Sequence, residues 1–315
     1  MPGAKDARLL RVLSYLQGKQ TNSYGPPIEG IEALVDLNQG KVIHLLDTGV
    51  RPVPKTSTDY FDPAVRGTSR APLKPLLLTQ PDGPAFTVKG QEVSWDRWRF
   101  RFGFNTREGL VLYQVRYVDQ GRERSILYRA SVSEMMVPYG DPDASWVWRS
   151  AFDEGEYGLG KLGAPLVPGH NTAPNATLLS PVLATDTGDT ATFTNRIDIF
   201  ERPGAGLWSH WEYAAGPEGR RNRELWIGFT ATIGNYDYSY HWVFHPDASI
   251  DFHAELNGIV LMKGVDAARC QACDPAAKPG RSGRRELHPQ PRLRKHLPEM
   301  WLRHGMWCLA GNGPG

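Results

Sequence analysis

DRWRFRFGFNTREGLVLYQVRYV, residues 96–118, decides the fold class. Trp98, Phe100 and Phe102 alternate with Arg97, Arg99 and Arg101, the period of a strand with one buried and one wet face. Asn105–Gly109 supplies turn residues, and 110–118 reads as the returning strand. The same signal predicts strands at 124–133, 189–201, 206–214, 223–233 and 238–246, with 249–262 following a turn at Pro246-Asp247. Thirty-three Gly and 25 Pro favour many turns over long helices. Short strands at close spacing imply a large antiparallel β-sandwich.

Toward the amino end, 28–49 reads as two strands joined across Asn38-Gln39-Gly40. With 7–16 they form part of a small α+β domain, residues 1–66. Residues 50–92 lack periodicity and read as a long surface connection. The sandwich is expected over 67–264. From 265 to 315, nine Lys or Arg face four Asp or Glu with no strand or helix period. That stretch reads as an anomalous, disordered basic tail, an abnormal end to the chain rather than a nucleic-acid arm.

Composition bounds the partners. The whole chain has a net charge of +2, with 40% hydrophobic and 22% charged residues, which points to neither nucleic acid nor membrane. No apolar run has the length of a membrane span, and MPGAKDARLLRVLSYLQ lacks the apolar centre of a secretory signal, so cytoplasmic residence is the default expectation. Cys270, Cys273 and Cys308 give no disulfide framework, and the Cys270–Cys273 spacing is half a zinc knuckle without its other half.

Three stretches concentrate reactive side chains: VPYGDPDASWVW (137–148), AFDEGEYGLGKLGAPL (151–166) and TIGNYDYSYHW (232–242). In the second, composition alone favours an acidic surface turn around Asp153. The alternative is a carboxylate among apolar walls, where desolvation raises its pKa and equips it as a general base. Gly155 and Gly158 would let the backbone bend around a bound molecule. His241, His245 and His253 read as structural histidines, because their strand spacing defines no metal site. Asn175-Ala-Thr177 is a formal glycosylation sequon. A Gly-rich phosphate loop and a Gly-x-Ser-x-Gly elbow are both missing from the sequence.

Thr232-Ile-Gly-Asn-Tyr-Asp-Tyr238 resembles the cofactor motif of the copper-containing primary amine oxidases. Phe152-Asp-Glu-Gly-Glu-Tyr157 and Val137-Pro-Tyr-Gly-Asp-Pro142 resemble two further motifs of that family, in the family's order. The resemblance covers roughly residues 8–264. It implies that Tyr236 is the precursor of topaquinone, whose carbonyl traps a primary amine as a Schiff base. It makes Asp153 the proton acceptor and Asn235 the residue that restricts the cofactor ring. Tyr139 becomes the hydrogen-bond partner of a quinone oxygen, and Ala151 occupies the position of the channel gate.

The implied reaction turns a primary amine, oxygen and water into an aldehyde, ammonia and hydrogen peroxide. Family members are usually homodimers. Copper in the family is held by a His-x-His pair and one later histidine, and no His-x-His occurs in this sequence. His288, His296 and His304 sit in the anomalous tail, so no metal ligand is identifiable and the chain is expected to be inactive alone. A non-catalytic β-sandwich remnant or binding module is the rival reading.

Overall fold

The computed structural model describes residues 6–17, 26–53, 61–67, 71–74, 76–259, 261, 263 and 264. The expected tail, with its cysteines and late histidines, lies outside them. The described residues form two compact units.

Of the described residues, the first unit takes those up to Lys74, then Pro138–Ser150 and those from 259 to 264. Its sheet has three antiparallel strands, β1 (Leu9–Tyr15), β2 (Pro27–Asp36) and β3 (Lys41–Asp47), in that order. Asp36 accepts from the backbone N–H groups of Asn38 and Gln39, which closes the expected turn between β2 and β3. A single helical turn, α1 (Pro63–Arg66), follows, capped by the Asp62 carboxylate. Buried Trp146 donates its indole N–H to Glu29 at 3.0 Å, and the Arg149 guanidinium lies 3.7 Å over the same ring. Lys263 reaches Asp141 at 2.9 Å.

The second unit holds residues 76–137 and Ala151–Gly258. One sheet is a meander of five antiparallel strands: β4 (Phe86–Lys89), β5 (Glu92–Trp95), β6 (Trp98–Asn105), β7 (Gly109–Asp119) and β8 (Arg122–Ala130). The chain leaves this unit through β9 (Met136–Pro138) and returns through β10 (Ser150–Phe152). A two-stranded ribbon pairs β12 (Val182–Ala184) with β13 (Thr190–Thr192). The second five-stranded sheet runs β11 (Thr177–Leu179), β14 (Ile197–Glu212), β15 (Gly216–Ile233), β16 (Tyr236–Phe244) and β17 (Ile250–Gly258).

The arginine–aromatic alternation of β6 explains how the sheets meet. Trp98, Phe100 and Phe102 are buried. Phe100 stacks on Phe244 of β16 at 4.5 Å, and Trp98 meets the same ring edge-on at 5.1 Å. Phe104 abuts Phe229 of β15 at 5.5 Å. Each such ring removed from water contributes about 1.5–3 kcal/mol, and a well-oriented aromatic pair adds about 0.5–1.5 kcal/mol. The Trp98 indole also donates to the His245 carbonyl at 2.8 Å, satisfying its polar edge.

Two expectations change in detail. The break expected between strands 189–201 and 206–214 is absent, because Pro203–Gly206 forms a bulged continuation of β14 with register shifts against β15. Proline and glycine there disturb one strand rather than turn the chain. The connection expected over 50–92 contains β4, which Phe86 anchors in the core.

Candidate active site

Tyr236 opens β16, directly after the two-residue loop Gly234-Asn235 that joins it to β15. Ile233 pairs with Tyr236 and Thr232 with Asp237, so the motif is a tight hairpin end. The Thr232 hydroxyl donates to Asp237 at 2.7 Å, locking the pair beside the tyrosine. Across the other edge, Gly258 of β17 faces Tyr236 with φ +101°. A Cβ there would stand 2.5 Å from the Asn235 carbonyl oxygen and 2.7 Å from the Tyr236 Cα. Glycine is therefore required for β17 to approach the loop this closely. Sequence reasoning missed Gly258, because it lies there inside the run 249–262 and nothing marks it out.

Side chains at 236, 238 and 240 share one face of β16. Tyr236 and Tyr238 stack at 6.0 Å between ring centres, and Tyr238 and Tyr240 follow at 6.3 Å. Tyr236 and Asn235 are half-buried, whereas Tyr238 and Tyr240 are buried. The Tyr240 hydroxyl lies 2.9 Å from the Met135 sulfur, and burial pushes its pKa well up.

Asp153 begins a π-helical turn, Asp153–Tyr157, and is 4% exposed. Such turns widen the backbone locally and are common where a side chain must be aimed. The expectation of a solvated acidic turn fails at this residue. Burial raises the Asp153 pKa from 3.8 to about 6. A hydrogen bond from the Tyr238 hydroxyl opposes that rise, while the charges of Glu156 and Glu134 add to it. The bond joins the carboxyl to the β16 face that carries Tyr236.

Glu154 is buried still more deeply, at 1% exposure, and burial raises its pKa to about 8. Arg107 lies 2.9 Å away but is 55% exposed, so solvent screens its field and burial wins. Burial thus favours the protonated form of Glu154 more strongly than that of its neighbour Asp153. Sequence reasoning singled out Asp153 by its motif and gave Glu154 no distinct state. Their difference comes from which neighbours each side chain meets after the turn is wound.

A glycine after the turn is required by close backbone packing. A Cβ on Gly160 would lie 1.8 Å from the Asn105 carbonyl oxygen, because Leu159 and Lys161 donate their backbone N–H groups to Arg107 and Thr106. The segment then runs beside β15, where Ala164 N–H donates to Thr230 and Thr232 N–H to Leu162.

Ala151 lies in β10 and is half-buried. Tyr139 belongs to the first unit, where its ring meets Trp146 edge-on at 5.6 Å and its N–H donates to the Arg149 carbonyl at 3.2 Å. His241 lies 3.1 Å from Asp198, His245 3.1 Å from Asp251 and His253 3.3 Å from Glu255. Among the described residues, no three His, Cys, Asp or Glu side chains converge to hold a metal. Asp237 is already engaged by Thr232, and the sequence has no His-x-His. The described residues around Tyr236 do not fit a copper ion.

The family model for the copper amine oxidase enzyme domain matches residues 87–282 of this chain. That for the copper amine oxidase N3 domain matches residues 2–63. Histamine oxidase of Arthrobacter globiformis is 44% identical over 256 residues, covering 81% of this chain and 37% of that protein. Primary amine oxidase of Klebsiella aerogenes is 38% identical over 274 residues, covering 87% of this chain and 36% of the relative. The chain thus spans well under half the length of these relatives. A crystal structure of a copper-containing benzylamine oxidase from Hansenula polymorpha superposes with a TM-score of 0.72 at 29% identity, over 82% of this chain and 42% of that one.

Proposed function

The chain belongs to the copper amine oxidase family, and from that premise we propose that its second unit carries the proton-transfer machinery of primary amine oxidation. The reaction converts a primary amine, oxygen and water to an aldehyde, ammonia and hydrogen peroxide. Were Tyr236 converted to topaquinone, that group would supply an electrophilic carbonyl for the amine. Asp153 accepts the proton from the carbon bonded to nitrogen. The single observation that carries this reading is the buried Asp153 carboxyl, held with a pKa of about 6 and bonded by Tyr238 on the face of β16 that presents Tyr236.

A base with that pKa is largely ionised at neutral pH yet strong enough to take a proton, the compromise general-base catalysis requires. The Tyr238 hydroxyl fixes the carboxyl's orientation. Asn235, at the hairpin loop, limits the swing of the neighbouring ring. For Tyr139 the role is carried by its motif alone, and Ala151, as a small side chain, leaves a gate position wide. A homodimer is the proposed assembly.

Copper is the missing partner. With no His-x-His in the sequence and no metal-holding group among the described residues, this chain alone leaves Tyr236 an ordinary tyrosine. The peptide containing Tyr236 should keep its unmodified mass after incubation with Cu²⁺ and oxygen. A mass increase matching tyrosine-to-quinone conversion sinks that part of the proposal.

The catalytic assignment is tested separately, in a chimaera where residues 87–264 replace the matching segment of the Arthrobacter histamine oxidase. It should release hydrogen peroxide from a primary amine. A folded, copper-loaded chimaera that forms the quinone but releases none overturns the assignment.

A further inference from the structure

We propose that Glu134 is the positioning residue for Asp153, gripping the backbone of the turn that presents the proton acceptor. Glu134 follows β8 and precedes β9, 19 positions before Asp153 in the chain. Its carboxylate accepts from three backbone N–H groups: Met135 at 2.9 Å, Glu154 at 3.1 Å and Gly155 at 3.1–3.2 Å. Two of these donors belong to the first turn of Asp153–Tyr157, whose opening N–H groups have no partner inside the helix. Asp153 itself is tied back by its N–H to the Met135 carbonyl at 2.9 Å. Residues 134 and 135 therefore hold three consecutive N–H groups of the turn.

A second observation points the same way. A Cβ on Gly155 would stand 2.7 Å from Glu134 Oε2. The glycine between the two glutamates of the motif is thus explained by the carboxylate that packs against it. Arg107 closes the cluster, 3.5 Å from Glu134 and 2.9 Å from Glu154. The charged and titratable groups around Asp153 are Glu154 and Glu156 on its own turn, Glu134 before β9, Arg107 from the β6–β7 turn, and Tyr238 and Tyr240 on β16. Of these, Glu134 grips the backbone and also adds negative charge that favours the protonated acid.

The inference rests on Asp153 being the proton acceptor. Its test reads no turnover, so the grip and the assignment fail independently. In the 315-residue chain, Glu134→Ala should speed amide hydrogen exchange at Glu154 and Gly155 about tenfold, the effect of losing a hydrogen bond to a charged acceptor. Glu134→Gln keeps an acceptor oxygen and removes the charge. It should rescue the slow exchange while moving the Asp153 carboxyl titration, followed by its carbon resonance, down toward the ordinary aspartate range. Should E134A fail to fold, G155A presses on the same oxygen and should release the same amides. Unchanged exchange in E134A or its substitute, or an unmoved Asp153 titration in E134Q, overturns the proposal.

Discussion

The acid turn and the tyrosine hairpin sit in one unit and are built by opposite means. Asp153 acquires its chemistry from what surrounds it: burial, a tyrosine hydroxyl and two nearby carboxylates, all supplied by residues 134–238. Tyr236 is held in place by backbone pairing, between Ile233, Gly258 and the Thr232–Asp237 bond. Packing alone can tune a carboxyl group. The proposed conversion of Tyr236 to a quinone would call in addition for copper. On the proposed reading, the fold itself tunes the base, whereas the electrophile depends on a partner the fold does not supply.

The comparison breaks first at Asp153. In the chimaera, Asp153→Asn should lower turnover by about 10²–10⁴-fold, the usual contribution of a positioned general base. The amide keeps the shape and loses the basicity, and near-normal kcat would move the base elsewhere. The hairpin side is probed by Gly258→Ala. With φ +101° and backbone atoms 2.5–2.8 Å from the new methyl, it should cost about 1–3 kcal/mol in denaturant unfolding. Unaltered stability would show that β17 yields freely around the loop.

The smallest effect concerns Glu154, whose folded pKa of about 8 lies above its ordinary value. A raised acid stabilises the fold fully below its unfolded pKa, and that contribution is lost as pH climbs through the folded value. Glu154→Gln, locked in the neutral form, should match the parent near pH 4 and gain on it by about 1–2 kcal/mol above pH 8. Melting curves across that range would decide, and a constant gap between the two proteins would refute a neutral Glu154.

Much of the fold was legible because it is written in local periods. Trp98, Phe100 and Phe102 announced both the strand and its buried face, and Tyr236 announced itself through motif order. What stayed hidden depends on contacts distant in sequence. Nothing near Gly258 says that another backbone lies against it, and nothing near Glu134 says that it reaches the Asp153 turn. Pro203–Gly206 misled for a related reason: proline and glycine mark a disturbed ladder, and only the pairing of β14 with β15 tells a bulge from a turn.

The long pair β14–β15 has an optical consequence. Beyond Pro203 it continues as a two-stranded ribbon, and Trp208 and Trp211 stand on it 52% and 68% exposed. Trp95, Trp98, Trp146, Trp226 and Trp242 are buried. Light absorbed by this molecule is therefore emitted by two classes of indole. Among the described indoles, acrylamide should reach Trp208, Trp211 and Trp148, which is 37% exposed, before the buried ones, so the earliest quenching reports on the surface rather than on the core.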